Sequence, residues 1–114
     1  MHTGELGKRI PRVGRIAGAL LGMHAGDALG ATLEFSAWSA VRQQYPDGLR
    51  EIVGGGPFGW PPGHASDDTD LTRAVLLAYL DADAGAGTGA DAGSAAGDIV
   101  RSAADHMLAW LDGD

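Results

Sequence analysis

Cysteine is absent from the 114 residues, which removes disulfide frameworks, zinc–thiolate centres and thiol nucleophiles together. A metal in this chain has to be held by oxygen or imidazole, and a reducing, cytoplasmic setting is the expectation. Cations are scarce as well: 8 Lys and Arg stand against 15 Asp and Glu, and the net charge of −7 opposes polyanions. The few cations gather near the amino end (Lys8, Arg9, Arg12, Arg15) with no aromatic-laced basic stripe, so no nucleic-acid partner is expected. No apolar run approaches the ~18 to 20 residues that span a bilayer, so no membrane segment is expected either. The amino end imitates a secretory leader, basic to Arg15 and apolar from Ile16 to Met23, but His24 and Asp27 break that layout. Large core fillers are few, because much of the 45% hydrophobic fraction is alanine beside 3 Trp, 2 Phe and 2 Tyr. The core should be thin.

What is present points to helices. From Val13 to Phe35 the apolar residues recur at helical spacing, with Ile16, Leu20, Met23 and Asp27 on one face and Pro11 at the start. Gly14, Gly18, Gly22, Gly26 and Gly30 recur every fourth residue. Each costs about 1 kcal/mol relative to alanine in a helix interior, so the stripe predicts a close neighbouring helix or a ligand that recovers the loss. A short second helix is expected over Ser36 to Tyr45, capped by Ser36 or Ser39, before a Tyr45-Pro46-Asp47-Gly48 turn. The stretch Gly54 to Gly63 is too rich in glycine and proline for helix or ladder strand and reads as a long loop. It lacks the Lys and Ser/Thr of a phosphate loop. Phe58 and Trp60 in it are expected to wedge into the core rather than stack on a base.

Ser66 reads as the N-cap of a helix that begins Asp67, Asp68, Thr69, Asp70 and carries Leu71, Val75 and Leu76. Residues 81–98 form an Ala/Gly/Asp tract that reads as a flexible linker. Ile99 to Leu111, with Ile99, Ala103, Met107 and Trp110 on one face, reads as an amphipathic helix ended by Gly113. The fold class is all-α.

The acidic cluster carries the most chemical information. Two adjacent carboxylates flanked by hydroxyls gather hard oxygen donors of the kind Mg²⁺ or Mn²⁺ prefers. Acidic residues in a first helical turn also suit the helix macrodipole with no metal at all. His24 and His64 show no metal-ligand spacing and read as packed or solvated side chains.

Three ordered motifs then coincide. Gly26-Asp27-Ala28-Leu29-Gly30 with Glu34 four residues on, the Gly-Pro-Phe-Gly-Trp-Pro-Pro-Gly loop, and Ser66-Asp67-Asp68-Thr69 at a helix start resemble the amino-terminal signature of the ADP-ribosylglycohydrolase family over about residues 13–80. The resemblance implies a small helical array corresponding to the amino-terminal part of that fold, with a glycine-rich loop before the acidic helix. It implies a hydrolase that cleaves the glycosidic bond of ADP-ribose using two magnesium ions. Ser66, Asp67 and Asp68 would be ligands to one ion, Ser66 standing where threonine is commoner. Glu34 would be the catalytic carboxylate and Asp27 a structural support of the site.

The organisation that follows is a family-like segment over residues 1–80, the linker 81–98 and a helix over 99–114. The family's second metal element, D-x-D-[ST], has no counterpart: Asp81-Ala82-Asp83 lacks the hydroxyl and Asp112-Gly113-Asp114 is only the last three residues. The chain would thus supply half of the metal ligands and need a downstream or complementary polypeptide. The alternative is a catalytically silent helical module that acts in packing or protein interaction.

Overall fold

The computed structural model describes residues 11–85 and 92–113. Among the described residues four helices follow one another: α1 Arg12–Ala31, α2 Trp38–Gln44, α3 Asp67–Gly85 and α4 Ala92–Asp112. The all-α expectation holds; among the described residues the only β pairing is an isolated antiparallel bridge between Gly55 and Trp60. Among the described residues no helix is long and apolar enough to cross a membrane. The chain divides into two compact units, Met1–Ser66 and Asp67–Asp114. The basic residues Lys8 and Arg9 lie outside the described residues.

In the first unit α1 starts directly after Pro11, whose carbonyl accepts from Arg15 N–H at 3.1 Å. Proline suits that position because its missing N–H has no helical partner to lose. The helix stops at Ala31, short of the expected Phe35. Bonds from Leu33 N–H to Gly30 and from Ser36 N–H to Leu33 tighten the chain into three-residue turns over Thr32 to Phe35. Phe35 sits at φ 60°, a left-handed conformation that a bulky side chain rarely takes and that cannot continue a helix. The second helix is capped by Ala37 without a side-chain bond, in place of Ser36 or Ser39. Ser36 is already committed to the preceding turn and Ser39 lies inside the helix. Gly48 closes the following turn at φ 85° onto the Tyr45 carbonyl.

The glycine stripe has no close neighbour. A methyl group added at Gly18, Gly22, Gly26 or Gly30 would meet nothing within 4 Å, so among the described residues no helix recovers the stripe's cost. The face of α1 that does pack is another one: His24, Asp27, Ala28, Ala31 and Thr32, where the 54–66 segment lies.

In the second unit α3 and α4 pack against each other. Ala74 and Ala78 are buried on α3, with Asp70 and Asp81 at the two ends of the same face. Small residues let the two backbones approach, and the carboxylates reach across at either end. Helix α4 closes at Gly113, whose φ of 90° and bond to the Trp110 carbonyl form a left-handed cap. The linker reading of 81–98 is corrected: residues 81–85 belong to α3 and residues 92–98 to α4, while 86–91 lie outside the described residues. Alanine is the strongest helix former, and Asp81 gains partners on α4 that a composition count does not show.

The core is thin throughout. The buried apolar residues described are Ala28, Ala31, Ala74 and Ala78, and no large side chain is fully covered. Phe35, Trp38, Val100, Leu108 and Leu111 are each more than half exposed.

Candidate metal centre

Asp27 is the pivot of the first unit. Its Oδ2 accepts from the backbone N–H of Ser66 at 2.9 Å and its Oδ1 accepts from the Ser66 hydroxyl at 2.6 Å. One carboxylate thereby takes both donors of one residue, a two-point grip that fixes the Ser66 backbone and its side-chain rotamer together. Ser66 is buried, and its hydroxyl proton points at Asp27, so a cation meeting Oγ must do so through an oxygen lone pair.

Two further bonds fasten the glycine-rich loop to α1 on either side of that grip. Thr32 Oγ1 donates to the Gly54 carbonyl at 2.9 Å, and His24 Nε2 donates to the Gly63 carbonyl at 3.0 Å. His24 is thus a loop anchor. The loop needs glycine at two points: a Cβ on Gly54, at φ 70°, would stand 2.6 Å from Pro62 N and the Trp60 carbonyl, and one on Gly56 would collide with the Ala31 carbonyl. Glu34 lies in the same unit, half-buried in the turn that follows α1.

The loop's aromatics do not wedge into a core. Phe58 stacks on Trp60 at 4.6 Å between centroids, Phe35 meets Phe58 edge-on at 6.3 Å, and Trp60 meets the His64 ring at 4.6 Å. Phe58 stays 52% exposed, so the rings support one another at the surface. The buried apolar residues described in this unit, Ala28 and Ala31, are too small to enclose them.

In the second unit Asp67, Asp68 and Asp70 occupy the first turn of α3, where the helix dipole favours negative charge. Asp67 and Asp68 are exposed. The α3 backbone here is regular, with Thr72 Oγ1 donating back to the Asp68 carbonyl at 2.7 Å. Among the described residues no three His, Asp or Glu side chains converge to hold an ion. The donors offered at residues 66–68 are one hydroxyl and two carboxylates, all oxygen, and that set fits a hard divalent cation which keeps part of its water.

Three side-chain hydrogen bonds in this unit escaped the sequence reading. Trp110 Nε1 donates to Asp70 Oδ2 at 3.0 Å, and Asp81 Oδ2 accepts from Ser102 Oγ at 2.6 Å and from His106 Nε2 at 2.8 Å. The pattern Asp70, Ala74, Ala78, Asp81 was the available signal, a small-residue helix face with an acid at each end. The Ser102 hydrogen bond, followed by that of His106, holds the Asp81 carboxyl below its ordinary range. A depressed carboxylate pKa stabilises the fold above the unfolded-state value and loses that contribution as pH falls through the folded one. Urea unfolding compared at about pH 5 and about pH 3 should therefore show an acid-side loss in the native chain that is smaller in Asp81→Asn, since the window lies at and below the ordinary aspartate pKa of about 3.9. Equal losses in both proteins would remove Asp81 from the acid sensitivity.

Comparison with known proteins follows the same residues. The sequence model of the ADP-ribosylglycohydrolase family matches residues 9–114, a wider stretch than the 13–80 that carries the motifs. The ADP-ribosyl-[dinitrogen reductase] glycohydrolase of Rhodospirillum rubrum is 45% identical over 62 residues, covering 54% of this chain and 20% of that protein. The ADP-ribosylarginine hydrolase Tri1 of Serratia proteamaculans is 38% identical over 65 residues, covering 57% of this chain and 16% of that protein. A putative ADP-ribosyl glycohydrolase of Acanthamoeba polyphaga mimivirus is 40% identical over 65 residues. The matched stretch thus spans a fifth or less of the first two relatives. No solved structure matches the chain.

Proposed function

The chain belongs to the ADP-ribosylglycohydrolase family, and from that membership we propose that it serves in hydrolysis of the glycosidic bond joining ADP-ribose to an acceptor. The observation that carries this reading is the two-point grip of Asp27 on Ser66 immediately ahead of the acidic turn. It joins two of the three signature motifs by hydrogen bonds.

Ser66, Asp67 and Asp68 would hold one of two magnesium ions, with manganese able to replace it. Such ions, when bound, lower the pKa of a water and stabilise charge as the anomeric carbon becomes oxocarbenium-like. The chain's own residues do the rest. Asp27 fixes Ser66, and the glycine-rich loop, pinned at Gly54 and Gly63, holds the segment that leads into the acidic turn. Glu34 takes the proton of the attacking water as general base.

The remaining ligands and the acceptor pocket come from polypeptide beyond these residues, whether continuous with them or separate. Support comes from the small share of the relatives that is matched and from the large apolar side chains left exposed on α2 and α4. The reducing, cytoplasmic setting inferred from the missing cysteines belongs to the same proposal. The Serratia proteamaculans relative carries ADP-ribosylarginine in its name, so an arginine acceptor is the first to assay.

The test is release of free ADP-ribose from ADP-ribosylated arginine and serine peptides by this chain mixed with a polypeptide carrying the remainder of the family fold. Release that needs both polypeptides and Mg²⁺, and that falls by about 10²- to 10⁴-fold in Glu34→Gln, supports the assignment. No release from any acceptor, or release indifferent to Glu34→Gln, overturns it.

A further inference from the structure

We infer that this chain pairs with a second copy of itself, the outer face of α4 in one copy seating in the groove beside α1 and α2 of the other. The inference does not depend on the hydrolase assignment and uses none of the side chains given a role in it. It concerns the faces left uncovered where the remaining polypeptide is absent, and a second copy offers the complement to each.

The groove lies wholly within the first unit. It measures about 360 Å³, and Leu29, Leu33, Trp38 and Val41 supply most of its apolar wall. Gly30 lines it as well, and a methyl group added there would meet nothing within 4 Å, so the groove is open on that side. Trp38 is 72% exposed. One charged side chain lines the groove, Arg42, and among the described residues no ion pair or hydrogen bond engages its guanidinium.

The complement lies on α4. Ser102, His106 and Trp110 bond to α3, which fixes the inner side of that helix. Val100, Ala104, Leu108 and Leu111 recur at helical spacing on a second stripe turned away from α3, and all four are exposed. Asp105 and Asp112, seven residues apart, border that stripe, with Arg101 the one cation beside them. Neither carboxylate has an ion-pair or hydrogen-bond partner among the described residues.

Charge selects which faces meet. The described part of the second unit carries eight carboxylates against Arg73 and Arg101, so two α4 faces repel each other. Two grooves would set Arg42 against Arg42. Of these pairings only the crossed one brings opposite signs together, Arg42 against Asp105 and Asp112, while the apolar stripe covers the apolar wall. Burial of that surface drives the association, and the charges fix its register. Such a head-to-tail contact closes into a pair when each copy fills the other's groove and extends into longer assemblies otherwise.

Sedimentation equilibrium of the full chain at low salt should therefore show association that grows with concentration. Arg42→Glu should weaken it by about tenfold or more, and so should Asp105→Arg combined with Asp112→Arg. All three positions are exposed, so each variant keeps its helices, which circular dichroism checks. Mixing the two variants should restore association to within about threefold of the native value, because each then presents the sign the other needs. A native chain that stays monomeric at every concentration overturns the proposal. Association indifferent to Arg42→Glu overturns it too, and so does a mixture that fails to recover what both variants have lost.

Discussion

Replacing Asp67 and Asp68 together by asparagine should abolish Mg²⁺-dependent turnover in the reconstituted hydrolase, a loss of at least about a thousandfold, while α3 stays helical. The size of the loss separates two roles these residues can have. If they only complement the helix dipole, removing their charge costs about 0.3 to 1 kcal/mol each, screened further because both are exposed, and leaves any chemistry elsewhere intact. If they hold an ion that stabilises the transition state, removing both charges removes several kcal/mol of that stabilisation, because a neutral amide oxygen is a poor substitute for a carboxylate toward a hard dication. Asparagine preserves shape and is a fair first-turn residue, so a fold defect does not confound the comparison. Circular dichroism and calorimetry on Mn²⁺ check the two halves separately. Helicity kept with metal uptake lost is the expected pair of results, and metal uptake that survives the double substitution rules out these carboxylates as ligands.

How far the sequence alone reached depends on the range of the interaction concerned. Local signals were readable: proline before α1, glycine after α4, the Gly48 turn and the acidic start of α3 are each fixed by the backbone preferences of a few neighbouring residues. The candidate site was partly readable for a different reason, since Gly26 to Glu34, the loop and Ser66 to Thr69 form an ordered signature even though their spacing says nothing about who touches whom. The contacts that organise them were not readable. That Asp27 grips Ser66, and that His24 and Thr32 pin the loop ends, depends on how the chain returns to α1. Of the two things the glycine stripe calls for, a close helix or a ligand, no helix meets Gly18, Gly22, Gly26 or Gly30 among the described residues, whereas the apolar spacing does place Asp27 on the face that packs. The 81–98 tract failed in the opposite sense. Its composition suits disorder, yet residues 81–85 and 92–98 are helical, and Asp81 finds Ser102 and His106 on the facing helix. Tertiary contact overrode a compositional prior that sees no neighbours.

The second large effect is expected at Asp27. Asp27→Ala removes both acceptors of Ser66 at once and should destabilise the first unit by about 2 to 4 kcal/mol, since a hydrogen bond to a charged group contributes about 1.5 to 3 kcal/mol and the stranded donors belong to a buried residue. Ser66→Ala removes only the hydroxyl bond and should cost about half as much, leaving the backbone bond in place. The double variant should then cost little more than Asp27→Ala, a coupling of about 1 to 2 kcal/mol in a double-mutant cycle by urea unfolding. Asp27→Asn is the sharper probe. With Oδ1 turned to the Ser66 N–H, its amide nitrogen donates to the Ser66 hydroxyl, so both contacts survive as neutral bonds with the hydroxyl reversed, and Asp27→Asn should cost less than Asp27→Ala. Ser66→Thr retains the oxygen, the proton and the backbone N–H, and should keep both stability and Mg²⁺-dependent turnover close to native. These variants part a structural clamp from a metal ligand. If Ser66 only seals the loop end, Ser66→Ala lowers stability and leaves Mn²⁺ affinity unchanged. If its oxygen also meets the ion, affinity falls in Ser66→Ala and is restored in Ser66→Thr. Additive costs for Asp27→Ala and Ser66→Ala would mean that the two residues do not act as a pair in solution, and the link between the glycine-flanked aspartate and the acidic turn would then have to be sought elsewhere.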